Sequence, residues 1–177
     1  MGHDKAFLLW ENMPLYKRAF NQLQPFCGQI YLSCRSEQQR HFQGATCLVD
    51  LFPDTGPMGA ILTAFEFFPE VSWIVLAVDL PLISAETIGK LLVNQNTSSD
   101  VTLFETADGT LQPLCAIYRP GIRKQLERMR TIGMFSLKEA IIHSNSQIID
   151  WEGDPECFTN VNTPQSWEAF KQRYGQE

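Results

Sequence analysis

Histidine, cysteine and basic residues are scarce or scattered in this chain, and long apolar runs are missing. Cys27, Cys34, Cys47, Cys115 and Cys157 form no C-x-x-C pair and leave an odd one over. That spacing excludes a disulfide framework and a zinc ribbon, and reduced thiols are expected. His3, His41 and His143 share no metal-ligand spacing, so surface or packing roles are expected of them. The strongest apolar stretch, residues 73–78, falls far short of the roughly 20 residues a membrane helix needs. No basic segment followed by an apolar one opens the chain, so a cytoplasmic setting is expected, with no membrane partner. Lys and Arg number 14 against 20 Asp and Glu, a formal charge of −6. This balance argues against nucleic acid as a partner, because a phosphate-backbone footprint needs a basic face. A small anionic substrate would need a local lysine or metal to overcome the global field.

What is present is the material of a core. The 177 residues are 44% hydrophobic and include 12 Phe and 4 Trp, a composition that suits one domain over residues 1–177. Short β-branched or aromatic runs alternate with stretches of helical period, the pattern of an α/β fold with a mostly parallel sheet. Helices are expected over residues 14–26, 58–68, 84–94 and 122–130, with later ones opened by Ser136-Leu137-Lys138-Glu139 and by Thr163-Pro164. Ser36-Glu37-Gln38-Gln39 reads as a further capping box. Strands are expected over residues 29–34, 46–49, 72–78 and 147–151. A pair at 101–105 and 111–118 is joined by Asp108-Gly109. The near-continuous apolar run SWIVLAV is the expected central strand, covered on both faces.

Three features carry chemistry. Asp79 directly follows the apolar strand, where open α/β sheets place their ligands. Taken alone it serves equally as a Mg²⁺ ligand or as a cap for the turn before Pro81. Gly56-Pro57-Met58-Gly59 lies between a strand and a helix and would bring backbone N–H groups to an anion; alone it reads as an ordinary turn. Lys5, after His3-Asp4, would be a point cation for a triphosphate or a solvated surface lysine.

In order along the chain stand MGHDKAFL, VDLFPDTGPMGA, VLAVDLPL, PLCAIY and TNVNTP. Each is weak alone, but the ordered series resembles the molybdenum cofactor guanylyltransferases over nearly the whole chain. The resemblance implies a Rossmann-like three-layer sandwich of the nucleotide-diphospho-sugar transferase type. It implies transfer of GMP from GTP to the terminal phosphate of molybdopterin, with Mg²⁺ and release of pyrophosphate. By the same resemblance Lys5 and Asp79 are the catalytic pair, with Lys5 on the nucleotide phosphates and Asp79 on Mg²⁺. Asp50 with Gly56, Pro57, Met58 and Gly59 contacts the nucleotide, and Asn160 and Asn162 face the pterin. Gln112-Pro113-Leu114 is mainly structural. Molybdoenzymes or other cofactor-biosynthesis proteins are the implied protein partners. Two alternatives stay open: a transferase of the same fold using CTP or another phosphorylated acceptor, and a non-catalytic cofactor- or partner-binding module.

The chain departs from the family at three places. There, a buried strand and a Gly-rich turn, roughly L-x-A-G-G-x-S-x-R, precede M-G-x-D-K, whereas here the match begins at Met1. The expectation is a sheet without its first strand, a hydrophobic slot in its place, and a Met1 that is internal to the natural protein. Ala60 stands for a second loop glycine. Cys34 falls near a position where the family often carries asparagine.

Overall fold

The protein is described by a computed structural model covering residues 4–175, so Met1, Gly2 and His3 of the first motif lie outside the described residues. A 3-10 turn at Lys5–Phe7 leads into a short hairpin, β1 (Leu9–Trp10) and β2 (Met13–Pro14). Then follow α1 (Leu15–Leu23), β3 (Leu32–Cys34), β4 (Cys47–Val49), α2 (Pro57–Phe67), β5 (Trp73–Leu76) and α3 (Ala85–Val93). The second half holds β6 (Val101–Glu105), β7 (Leu111–Tyr118), α4 (Arg123–Thr131), α5 (Leu137–Ile142), β8 (Ser146–Asp150) and α6 (Pro164–Tyr174).

Local chemistry sets most boundaries. Ser84 accepts from the Thr87 amide and starts α3, and Ser136 accepts from Glu139 N to start α5. Thr163 and Ser166 form a reciprocal capping box ahead of α6, with Pro164 in its first turn. Gly109, at φ +79°, turns the β6–β7 hairpin. The box expected at Ser36 does not form. Gln38 turns inward instead, its Oε1 accepting from Arg35 N and its Nε2 donating to Asp4, and only a 3-10 turn at Gln39–His41 follows.

The largest sheet has the order β5-β7-β6-β8. Both β5 and β6 pair antiparallel with β7, while β6 pairs parallel with β8. Three of its four strands therefore run one way and β7 runs against them. A separate parallel pair, β3 and β4, stands beside it. Helices cover both faces of the sheet, as in a three-layer sandwich. Alternate residues of β7 serve the two sides. Ala116 and Tyr118 join a core with Phe65 of α2, Leu126 of α4 and Ala140 of α5. Cys115 and Ile117 join another with Leu23 of α1 and Ile88 and Leu91 of α3. Burial pushes the Cys34 and Cys115 thiols up to about 12, so both are protonated at neutral pH.

The sheet, too, differs from the sequence expectation. β5, the apolar run expected at the centre, pairs only with β7 and is half-buried along its whole length. Its outer edge faces a cavity instead of a neighbouring strand, because no described strand lies between β5 and β3.

The segment after β8 is fastened by Phe104, which packs against Trp151 and Phe158 at centroid distances of 4.9 and 6.0 Å. Phe104 is 1% exposed. Phe104→Ala is expected to cost about 3–5 kcal/mol of stability, read as a lowered midpoint in thermal or denaturant unfolding.

Candidate active site

Lys5 is held at the rim of the fold by its own turn. Asp4 caps that turn by accepting from Ala6 N at 3.0 Å, and its second oxygen accepts from Gln38 beyond the end of β3. The Lys5 ammonium lies 3.5 Å from Asp79 Oδ2 and donates to Asn162 Oδ1. The first, third and last motifs, far apart in sequence, thus meet at one cation.

Asp79 sits three residues beyond β5. Its backbone carbonyl accepts from Val161 N at 3.0 Å, which clamps the 160–162 segment against the strand end. Asp79 Oδ1 is buried and has no hydrogen-bond partner. A buried, unpaired carboxylate oxygen is costly unless something occupies it. Arg18 of α1 supports the same loop, its Nε donating to Pro81 O at 2.7 Å. The turn-cap alternative for Asp79 finds no hydrogen bond here, since the side chain points to Lys5.

Asp50 directly follows β4 and closes the next loop on itself. Its Oδ1 accepts from Phe52 N at 2.8 Å and from Thr63 Oγ1 at 3.1 Å, and Thr63 Oγ1 in turn accepts from Leu51 N at 3.0 Å. Gly56 adopts φ +60° and ψ −147°, a region open essentially to glycine alone, and is the N-cap residue of α2. No side chain caps this end; Pro57 has no N–H and the Gly59 amide donates to Gly56 O at 3.0 Å, so the Met58 amide is the first-turn donor left open to an anion.

The four residues of this loop do different things. Gly56 and Pro57 line the cavity together with Asp50 and Asp79. Met58 is fully buried in the core beside Ile61 and Leu62, so its side chain is not available to a nucleotide and only its backbone amide is. Gly59 meets the loop itself: a Cβ there would lie 2.2 Å from Thr55 Oγ1 and 2.5 Å from Phe52 O. Asn162 is drawn onto Lys5, while exposed Asn160 makes no side-chain hydrogen bond among the described residues. Neither asparagine caps α6; Thr163 does.

Sequence reading passed over Asp4, Arg18, Gln38 and Thr63, which hold the site residues in place. Only Asp4 carried a local signal, an acidic cap one residue ahead of a lysine. The others act across separations of 13 to 63 residues.

No group of three or more His, Cys, Asp or Glu is arranged to hold a metal among the described residues. A single carboxylate still suits Mg²⁺, which keeps several waters and shares its remaining positions with substrate phosphates. The orphaned Oδ1 of Asp79 is a hard oxygen donor of that kind.

Carboxylates at the carboxyl ends of β4 and β5, an uncapped helix start and a lysine beside Asp79 lie at the end of the sheet where open α/β folds place their ligands. The MobA-like NTP transferase domain matches residues 1–145, and the chain belongs to that family. Among curated relatives, the molybdenum cofactor biosynthesis bifunctional protein of Synechocystis is 28% identical over 170 residues, which are 94% of this chain and 49% of that protein. The chain therefore spans about half the length of that relative. The molybdenum cofactor guanylyltransferase of Shewanella halifaxensis is 25% identical over 180 residues, covering 99% of this chain and 86% of that one. Among solved structures, molybdopterin-guanine dinucleotide biosynthesis protein A from Archaeoglobus fulgidus superposes with a TM-score of 0.79 at 21% identity, covering 97% and 91% of the two chains. The 2-C-methyl-D-erythritol 4-phosphate cytidylyltransferase of Thermus thermophilus gives 0.70 at 12% identity over 96% and 93%. These two likenesses establish the fold. No helix among the described residues is long and apolar enough to cross a membrane.

Thr63 is the support on which Asp50 rests. Thr63→Val keeps the shape but leaves the Leu51 amide unpaired and removes one bond to Asp50. A loss of about 1–3 kcal/mol is expected, with Thr63→Ser losing less, both read from unfolding midpoints.

Proposed function

We propose that this chain transfers GMP from GTP to the terminal phosphate of molybdopterin and releases pyrophosphate, in a Mg²⁺-dependent reaction. One observation carries the reading: the Lys5 ammonium bridges Asp79 and Asn162, so the groups assigned to phosphate, metal and pterin converge at one point. The names of the relatives from Shewanella and Synechocystis lend it support.

In this reading a phosphate oxygen of molybdopterin attacks the α-phosphorus of GTP. The new P–O bond forms as the α–β bridging bond breaks, and its electron pair leaves on pyrophosphate. The nucleophile is already an anion, so no side chain need act as general base. The chain's task is in-line positioning and charge neutralisation. Lys5 places its positive charge between the two substrates. Asp79 would hold Mg²⁺ through Oδ1, and the metal supplies further neutralisation of the phosphate charge. The uncapped start of α2, with Asp50, Gly56 and Pro57 beside it, receives the nucleotide through the backbone amide of Met58. Gly59 lets the loop close tightly enough to present it. Exposed Asn160 and Asn162, the latter oriented by Lys5, face the pterin.

Pyrophosphate release tests the reading when followed with GTP or CTP, molybdopterin and Mg²⁺. Release with GTP is expected; release with CTP alone would replace it with a cytidylyl transfer, and release with neither would favour a binding module. Asp79→Ala should abolish Mg²⁺-dependent turnover with little change in the melting temperature, because along with a part-exposed contact to Lys5 it removes a buried oxygen that has no partner. Near-normal turnover in that variant would remove Asp79 from the metal site.

A further inference from the structure

The loop that leads from Asp50 to the start of α2 is organised around one aromatic residue. Leu51, Pro53 and Asp54 are exposed, whereas every part of Phe52 is engaged. Its amide donates to Asp50 Oδ1 at 2.8 Å, and its carbonyl accepts from Thr55 Oγ1 at 2.6 Å. Its ring packs against the core that holds Ile61 and Phe65 of α2 and Leu126 of α4. A Cβ on Gly59 would lie 2.5 Å from Phe52 O, so the same residue sets how closely the loop rests on α2.

Against that ring lies a side chain of α4. The guanidinium carbon of Arg130 stands 4.7 Å from the Phe52 ring centroid, within the range over which a ring face attracts a cation. Its Nε is buried without a hydrogen-bond partner. No carboxylate pairs with Arg130 among the described residues, and the acids beside this helix, Glu66 and Glu127, are both taken by Arg123. A planar guanidinium stacks on an aromatic face in a way that a lysine ammonium does not.

The two arginines divide the work along α4. They stand seven residues apart in sequence, about two turns, and therefore share a face of the helix. Arg123 reaches Glu66 at 2.8 Å and Phe65 O at 3.4 Å, in the last turn of α2. Arg130 reaches Phe52, ahead of the first turn. The helices thus run antiparallel and are fastened at both ends, by an ion pair at one and by a guanidinium on a ring at the other. The first fastening lies far from Asp50; the second is one hydrogen bond away from it.

We propose that Arg130 is a positioning residue of the nucleotide loop. Its guanidinium holds the Phe52 ring, the Phe52 amide holds Asp50, and Asp50 and the Met58 amide are thereby kept in the arrangement that receives the nucleotide. Arg130 does not line the cavity, so it acts through Phe52 and not by touching the ligand. The proposal rests on the reading of Asp50 and the start of α2 as the seat of the nucleotide.

Two substitutions in α4, made in the full chain, separate positioning from general support. Arg130→Met keeps an apolar stem on the ring and removes the cation; Arg123→Met releases the opposite end. Amide hydrogen exchange reads the loop, and calorimetry with GTP and CTP in Mg²⁺ reads the seat. In Arg130→Met the Phe52 amide should exchange about 10-fold faster relative to the Leu62 amide of α2. The dissociation constant of the nucleotide should rise by about 10-fold, as for loss of a partly desolvated cation–π contact. Arg130→Lys retains a cation over the ring and should recover part of both. Arg123→Met should lower the melting temperature at least as far, yet leave nucleotide binding within about twofold. Unchanged exchange at Phe52 in Arg130→Met overturns the proposal, as does faster exchange with unchanged binding, or an equal loss of binding in Arg123→Met. If the unsubstituted chain binds neither nucleotide, the underlying reading fails and the proposal with it, an outcome visible before any substitution is made.

Discussion

The ladder between β5 and β7 decides where everything else can be. β5 is held on one side only, by a register that runs from Trp73 opposite Tyr118 to Leu76 opposite Cys115 and continues to the bond between Ala77 and Leu114. That register fixes the end of the strand and so the position of Asp79. Once Asp79 is placed, its carbonyl draws in Val161 and its carboxylate draws in Lys5. The site is thus a consequence of backbone pairing, with side chains collected at the end of a strand. The unpaired side of the same strand faces the cavity.

In a chain with a net charge of −6, this dependence also sets where a positive charge is gathered, at Lys5 beside the end of β5. The polar elements gathered there are local: one ammonium, the Met58 amide at the uncapped start of α2, and the orphaned oxygen of Asp79. The last two are poorly satisfied within the protein itself. Burying an unpaired carboxylate oxygen and leaving a helix start uncapped both oppose stability. Such a cluster is what a functional site looks like when its partners are external.

Much of the fold was legible because its local signals agree with its global arrangement. Ser84, Ser136 and Thr163 start helices as their types predict, and Gly109 turns a hairpin where Asp-Gly predicted one. The failures have a common cause. At Ser36 a capping box was expected, but Gln38 found better partners in Arg35 and Asp4, a contact spanning 34 residues. Met58 reads as part of a ligand loop, yet the turn of α2 sends its side chain into the core. Thr63 looked like an unremarkable helical residue, and only the closure of the loop shows that it carries Asp50.

The period of the apolar residues and the chemistry of the caps were enough to indicate an α/β fold, and the ordered motifs, through their resemblance to a known family, pointed to a nucleotidyltransferase and to Lys5, Asp50 and Asp79 as its candidate residues. These depend on residue type and spacing, which a chain carries without folding. Tertiary structure alone decided that Lys5 reaches Asp79 and Asn162 together, that Asn160 stays outside that contact, and that β5 lies beside a cavity of about 1040 Å³ and not at the centre of a closed sheet. The reason is that hydrogen-bond partners and neighbouring strands are relations between distant segments, and only the packed backbone brings those segments together.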